Sequence, residues 1–157
     1  MFLIRKLSTS LFKLAFLSLL LAFSSVTQAD ENAIAYVKVL NGACYVESGG
    51  AERILQIGDP LYKDDIVKTR NESSLGVSFR DNTLVSLGSN SSLKLNNFEF
   101  DPDNKKLAFA VQLFEGTLLY ISGIIAKLTK NPDEDLQITT PAGTISVRGT
   151  KMFVRAE

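Results

Sequence analysis

The sequence predicts an all-β domain of short, mainly antiparallel strands, folded as a sandwich or as a rolled, β-solenoid-like sheet. Apolar residues alternate with small or polar ones, as in Leu75, Val77 and Phe79, which is the period of a strand with one buried face. Turn signals rich in Gly, Pro, Asn and Asp recur at intervals of about 8–12 residues, which is typical of sandwiches and barrels. A single short segment, residues 122–130, has helical spacing.

The predicted strands of the first half are separated by glycine-containing turns. Asn41-Gly42 predicts a tight turn because both residue types accept positive φ, and Gly49-Gly50 predicts the next reversal. Gly58-Asp59-Pro60 breaks the chain before Leu61. The strands predicted between these turns cover residues 34–40, 43–47 and 66–69.

The second half continues the alternation through longer strands. Residues 80–83 and 101–104 predict turns, and Glu115-Gly116 is interpreted as a reversal between strands at 107–113 and 118–121. In the predicted helix 122–130, Ser122 is a candidate N-cap and Asn131-Pro132 ends the helix. Asp133-Glu134-Asp135 is expected to be a charged turn leading back into a strand.

The first 29 residues are predicted to form an export signal that includes a signal helix. Three basic residues and no acidic residue accompany a ten-residue apolar stretch at 14–23. A spanning helix needs about 20 apolar residues, whereas a signal core needs about 7–15. We expect cleavage between Ala29 and Asp30, and the alternative is an uncleaved anchor. Contact with a membrane is therefore expected only during export or through that anchor.

Residues 30–157 have the size of one domain, and their composition excludes several functions. Fourteen basic residues against seventeen acidic ones give a net charge of −3, which argues against binding to nucleic acid. The single cysteine, Cys44, cannot form an internal disulfide. We interpret it as a small buried hydrophobe, with a redox or intermolecular role as the alternative.

The last eighteen residues, 140–157, carry the most informative motif. A Thr-Pro pair opens a β-rich run, which Arg148-Gly149-Thr150 interrupts before a final apolar strand. The pattern resembles the close of the FecR-type domain, a β-rich module of bacterial cell envelopes, which reads roughly T-P-x-A-T-x-G-V-R-G-T-x-F. The matching residues are Thr140, Pro141, Thr144, Val147, Arg148, Gly149 and Thr150, and Phe153 lies one position after the Phe of the pattern. Gly143 and Ser146 stand where the family favours Ala and Gly.

The resemblance spans about residues 41–153, which is most of the chain after the predicted signal. Gly58-Asp59 followed by residues 65–69 is similar to the family's G-D-x-I-x-T stretch. Residues 74–87, which include Asp81, are similar to its S-x-A-x-L-x-F-x-D-G-S-x-L-x-L hairpin, with Asn82 in place of the turn glycine. The resemblance implies a FecR-like β domain at 30–157, periplasmic or secreted after cleavage of the signal.

Two departures from the family pattern change the expected role. The family's signalling regulators carry a cytoplasmic segment that engages a sigma factor, whereas about thirteen residues precede the apolar stretch here. Many relatives also continue into another hairpin after the R-G-T-x-F motif, whereas this sequence ends at Glu157. Either the domain is minimal or an edge strand lacks its partner, and an unpaired edge invites strand addition by another chain.

The sequence offers little catalytic or metal-binding chemistry. With no histidine, Ser-His and Cys-His catalysis and the usual His-based zinc sites are excluded. Asp101-x-Asp103-Asn104 begins like a calcium loop but lacks its Gly and its distal Glu. Asp59 and Asp64-Asp65 are better explained as turn residues than as a carboxylate pair. We predict no catalytic residue, no metal and no cofactor.

Arg148 is the most plausible binding residue, because a guanidinium can fork onto a carboxylate or a phosphate. It could equally pair within the fold, with Asp59 or Asp81 as partner, while Gly149 serves a bulge or a close backbone approach. Tyr45, Tyr62 and Tyr120 could stack on sugars, although aromatic residues in strands more often pack in cores or at edges.

These observations predict a non-catalytic, exported domain that acts by protein–protein contact in the cell envelope. Envelope signalling is one role that such contact could serve. The expected mode is docking of a sheet edge or face, such as residues 151–155, onto an envelope protein. The alternatives are a module that binds peptidoglycan or extracellular glycan, and a small envelope hydrolase.

Overall fold

The computed structural model describes residues 30–157, and the predicted signal and Ala29 lie outside that range. Residues Glu31–Glu157 form one compact unit. Its strands are β1 Ala35–Asn41, β2 Cys44–Ser48, β3 Ala51–Ile54, β4 Pro60–Leu61, β5 Ile66–Thr69, β6 Ser74–Phe79, β7 Leu84–Leu87, β8 Ser92–Asp101, β9 Lys106–Ile121, β10 Leu136–Thr140, β11 Gly143–Ser146 and β12 Lys151–Ala156. Two helical turns, α1 Ile125–Leu128 and α2 Pro132–Asp135, precede β10.

The strands form a curled, half-barrel sheet with two parts that share β9. Sheet I has the order β4-β1-β6-β7-β9-β12, and sheet II has the order β3-β2-β5-β8-β9-β10-β11. Every pairing is antiparallel except that between β10 and β9. The mainly antiparallel all-β prediction is confirmed.

Strand β9 runs through both sheets without reversing. Its first ten residues pair with β8, and residues 118–121 pair with β7. The reversal predicted at Glu115-Gly116 is therefore wrong. Gly116 instead takes a φ of 91° within the strand, and a Cβ there would lie 2.6 Å from the Cβ of Ser91. This glycine permits a bend and a close approach rather than a turn.

The core lies between the inward faces of the two sheets. An aromatic row crosses it, with ring centroids 5.4 Å apart for Phe79 and Phe98, 5.0 Å for Phe79 and Phe109, and 5.4 Å for Phe109 and Tyr120. These distances suit edge and tilted aromatic packing. Cys44 is buried in the same core, as predicted, and burial raises the pKa of its thiol.

The two glycine turns predicted at the start of the domain are present, but one of them joins strands that do not pair with each other. Gly49 and Gly50 both take positive φ and close the β2–β3 hairpin. Gly42 also takes positive φ, yet β1 and β2 do not pair with each other, because β1 pairs within sheet I and β2 within sheet II. The Asn41-Gly42 turn therefore carries the chain from one sheet to the other.

The helical segment is shorter than predicted and is followed by a second helical turn. The predicted helix at 122–130 is reduced to α1, because the backbone amide of Gly123 bonds to the Thr83 hydroxyl and that of Ile124 to the Asp81 carbonyl. Pro132 was expected to end a helix and residues 133–135 to form a charged turn, but Pro132 instead begins helix α2, since proline is suited to the first turn of a helix.

Candidate functional site

The charged residues of the family motif do not converge on one site. Asp59, Asp81 and Arg148 each bond to different neighbours, which are Arg53, Thr83 and Asp133 respectively. The pairing of Arg148 with Asp59 or Asp81, expected from the sequence, is therefore wrong, although Arg148 does pair with a carboxylate of its own fold. Sequence alone gave no signal for Asp133, which lies fifteen residues before Arg148.

Asp59 stabilises the turn between β3 and β4. Its Oδ2 accepts a hydrogen bond of 2.6 Å from Arg53 and one of 3.0 Å from the backbone amide of Gln56. Gly58 takes a φ of 94° immediately before it, which explains the glycine. Burial raises the pKa of the Asp59 carboxyl, but the amide of Gln56 and the guanidinium of Arg53 outweigh this effect and lower the pKa overall.

Asp81 lies fully buried under the start of α1. Its Oδ2 accepts a hydrogen bond of 2.7 Å from the Thr83 hydroxyl and one of 3.2 Å from the backbone amide of Ile125. Its Oδ1 accepts a hydrogen bond of 3.0 Å from the backbone amide of Thr83. A Cβ on Gly123 would lie 2.7 Å from the carbonyl carbon of Asn82. The hydrogen bonds and this close approach attach residues 123–125 to the β6–β7 turn, so the role of Asp81 is structural.

Arg148, Gly149 and Thr150 lie exposed between β11 and β12. The guanidinium of Arg148 forks onto Asp133 of α2, with Nε 2.8 Å from Oδ1 and a second hydrogen bond to Oδ2. This hydrogen-bonded pair raises the pKa of Arg148 and lowers that of Asp133. The carbonyl oxygen of Thr150 accepts a hydrogen bond from the backbone amide of Ser122.

Gly149 does not have the role expected from the sequence. Its φ lies outside the left-handed region, and apart from its two neighbours in sequence no described residue has a heavy atom within 4 Å of the position a Cβ would take. The close backbone approach expected at Gly149 is therefore wrong, and Gly149 lies in the connection between β11 and β12 rather than within a strand. Pro141 lies exposed in the β10–β11 turn. In this turn the Thr140 hydroxyl donates a hydrogen bond of 3.1 Å to the carbonyl oxygen of Gly143.

The outer surface of sheet I carries an apolar cluster that sequence reasoning missed. The register aligns Leu84 of β7 with Ile121 of β9, and Leu119 of β9 with Phe153 of β12. Phe153 is 67% exposed, Leu84 42% and Ile121 37%, and Leu119 is half-buried. We call these four residues the outer apolar face. The available signal was the run 118–121, whose unbroken apolar character departs from an apolar/polar alternation.

Strand β12 borders the outer apolar face and is open on its other side. Within residues 30–157 it pairs with β9 alone. Its outward side chains are Lys151, Phe153 and Arg155, which alternate with more buried residues. Arg155 forms an exposed ion pair with Glu157, with an N–O distance of 3.2 Å. This matches the expected edge at residues 151–155, and such an edge offers backbone hydrogen-bonding groups to another strand.

The features that would support a glycan site or a metal site are weak. Tyr120 is fully buried, and Tyr45 packs against Arg70, whose guanidinium carbon lies 5.0 Å from the ring centre. Across residues 30–157 no three His, Cys, Asp or Glu side chains are arranged to hold a metal ion. Asp101 accepts hydrogen bonds from Asn104, which lower the pKa of its carboxyl in an exposed turn.

One open groove of about 480 Å³ lies between the β8–β9 turn and the two helical turns. Leu107 and Leu128 line it together with Lys105 and Lys130, and the Asp135 carboxylate at its wall accepts a hydrogen bond from Thr129. A single, already bonded carboxylate does not make an acid–base pair. Separately, none of the helices in the described range has the length and apolar character needed to span a bilayer.

Comparison with known proteins gives one family and one solved structure. The sequence pattern of the family described as "FecR protein" matches residues 65–157. A solved "Cell surface anchoring domain" is 36% identical over 40% of this chain and 84% of its own, with a TM-score of 0.39. No curated protein matches the chain. The family is non-enzymatic and signalling-related, and it fits an envelope-associated role. With more than half of its length matched, and with the Arg148-Gly149-Thr150 motif inside that match, this chain belongs to the FecR protein family.

Proposed function

We propose that this protein is an exported, non-catalytic domain that acts by protein–protein contact in the cell envelope, where it is periplasmic or secreted. The observation that carries the proposal is the outer apolar face beside the open edge of β12. Membership of the FecR family supports the compartment. Cleavage between Ala29 and Asp30 is part of the proposal, and the mass of the exported protein tests it.

The outer apolar face has the properties of a contact surface. Phe153, Leu84 and Ile121 lie on adjacent strands, so their exposed side chains form a continuous surface rather than scattered apolar residues. Burying an apolar side chain of this size contributes about 1.5–3 kcal/mol. Phe153 offers an aromatic anchor with Arg155 two residues away, and aromatic and arginine side chains are both enriched at interface centres.

The non-catalytic part of the proposal rests on where the titratable side chains lie. Asp81 is occupied by three hydrogen bonds in the core, and Asp59 and Asp133 are each paired with an arginine. General acid–base catalysis needs such groups free and within reach of one substrate position. The arrangement supports stabilisation of the fold instead.

Site-specific photocrosslinking in cells that express the full chain tests the proposal. The crosslinker replaces Leu84 on the outer apolar face, or Glu99, an exposed position on β8 of sheet II, as the matched control. We expect one dominant envelope protein to be captured from position 84 and not from position 99. Substituting Ile121→Glu in the position-84 variant should abolish the adduct, because a charge would be buried in the contact.

Two outcomes would contradict the proposal. Equal adducts from positions 84 and 99, or none at all, would mean that the outer apolar face is not a protein contact. Binding to purified peptidoglycan that persists in the Leu84→Glu variant, with no protein adduct, would favour the glycan-binding alternative.

A further inference from the structure

Two strands of this domain have an open edge and strongly exposed apolar side chains. Within the described residues, β12 is an edge of sheet I and β3 is an edge of sheet II. Phe153 of β12 and Ile54 of β3 are each 67% exposed. Exposed edges of this kind are usually shortened, bent or covered, because they template pairing with another chain.

The two edges carry outward side chains of opposite charge. Glu52 of β3 already forms exposed ion pairs with Lys68 at 3.4 Å and Arg70 at 3.7 Å, and pairing with a cation of β12 would exchange these partners. On β12, Phe153 lies between Lys151 and Arg155. On β3, Ile54 shares the outward face with Glu52, since their partners Tyr45 and Glu47 alternate with the buried Cys44 and Val46. A cationic edge with an aromatic centre therefore exists in the same molecule as an edge that carries a carboxylate and an aliphatic side chain.

We propose that β12 of one copy pairs antiparallel with β3 of a second copy of this chain. In the alignment that sets Phe153 beside Ile54, Arg155 comes beside Glu52, so an apolar pair and an opposite-charge pair form together. After pairing, the copy that used β12 still has an open β3 edge, and the copy that used β3 still has an open β12 edge. The contact is head-to-tail, and it extends into linear assemblies unless the geometry closes a ring.

Charge disfavours the pairing of two β12 strands, whereas two β3 strands would pair opposite charges but leave both Ile54 side chains without a large apolar partner. Two β12 strands centred antiparallel on Phe153 would place Lys151 opposite Arg155 twice. Two β3 strands centred on the Glu52–Arg53 bond would place each Glu52 opposite an Arg53 of the other strand, but would set both Ile54 side chains opposite Ala51 at the ends. Like charges opposite each other destabilise a strand pair, and only the β12–β3 pairing joins both apolar side chains.

This inference rests on the proposed function, because β12 borders the outer apolar face. With four residues in β3, the overlap is short, so the association is weak and depends on concentration. Position 84 on the outer apolar face lies on β7, away from both edges. Crosslinking from that position therefore tests the proposed function independently of self-association.

Sedimentation velocity of the protein as cells export it, over a wide concentration range, tests the inference with two blocked variants. We expect the average mass of the wild type to rise with concentration. Phe153→Asp blocks β12 and leaves β3 intact, and Ile54→Asp does the reverse. Each variant alone should stay monomeric. An equimolar mixture should form a dimer and nothing larger, because only one intact β12 and one intact β3 can meet.

A matched control is Leu128→Asp, an equally non-conservative change at a 47% exposed position on α1, which should associate like the wild type. Circular dichroism of each variant confirms that the fold is intact. A wild type that remains monomeric at every concentration overturns the inference. So does Ile54→Asp that still self-associates, which would show β12 pairing with itself, or a mixture that stays monomeric.

Discussion

Asp81 and Arg148 are both charged residues of the family motif, yet they lie in opposite environments. Asp81 is fully buried and bonds to the amides of Thr83 and Ile125. The side chain of Arg148 is 66% exposed and pairs with Asp133, which is itself 53% exposed. A buried, fully bonded carboxylate determines local structure, whereas an exposed ion pair can exchange its partner at little cost. Motif residues of one family therefore do not share one role.

A glycine lies close to each of these residues, and substitution of the one near Asp81 should destabilise the fold most. In Gly123→Ala the new Cβ would overlap the backbone of residues 81–83, so the β6–β7 turn and α1 must separate. We expect the free energy of unfolding to fall by about 4 kcal/mol or more, so that little folded protein is recovered. The control Gly149→Ala adds a Cβ where the described chain leaves open space, and it should melt like the wild type. Equal melting of both variants would contradict the close approach at Gly123.

Asp81→Ala should have the next largest effect. The substitution leaves the amides of Thr83 and Ile125 and the Thr83 hydroxyl without their acceptor in a buried site. We expect the free energy of unfolding to fall by about 3 kcal/mol, measured by urea denaturation. Asp103→Ala, which removes an exposed carboxylate from a turn, should leave it unchanged. A loss below about 1 kcal/mol at Asp81 would show that water replaces these bonds.

Tyr120→Phe should have a smaller effect of the opposite sign. The Tyr120 hydroxyl lies close enough to Thr83 to be influenced by it, but the Thr83 hydroxyl donates to Asp81, and Tyr120 makes no well-formed hydrogen bond within the described part of the chain. Removing it should stabilise the fold by about 1 kcal/mol at neutral pH. Burial raises the pKa of Tyr120 to about 12, opposed by Thr83 and assisted by the nearby Asp81 carboxylate.

The raised pKa also predicts an alkaline dependence. The unfolded chain loses the tyrosine proton near its ordinary value of 10, whereas the folded state keeps it, so stability should fall between pH 10 and about 12. Urea denaturation at pH 7 and at pH 11 measures both effects. If the wild type and Tyr120→Phe lose equal stability over this interval, another group is responsible.

Arg148→Ala should have the smallest effect on stability, because both members of its ion pair are largely exposed. The substitution removes the guanidinium that lowers the pKa of Asp133. In the wild type this pair supports the fold above the ordinary carboxyl pKa and loses its contribution as the pH falls through the lowered value. An NMR titration should show the pKa of Asp133 rising in the variant. A large drop in melting temperature would place Arg148 with Asp81 as a structural residue.

Local patterns predicted the strands and most turns because alternation and turn chemistry act over a few residues. The β6–β7 turn at residues 80–83 and the reversal at Gly49-Gly50 follow from such signals. Gly116 shows where they fail, since a glycine that bends a strand around Ser91 looks the same in sequence as one in a turn. The Arg148–Asp133 pair joins α2 to the connection between β11 and β12, and the outer apolar face depends on which strands become neighbours. Local patterns do not encode such long-range packing, and the apolar run 118–121 indicates only one strand of that face.

Strand β9 determines how the domain unfolds under mechanical force. It contributes hydrogen bonds to β7 and β12 in sheet I and to β8 and β10 in sheet II. Neither sheet can lose β9 without leaving the other unpaired, so pulling force applied to one sheet is transmitted to both. Rupture should appear as a single event, and the amide protons in the interior of β9 should exchange with solvent only through global opening.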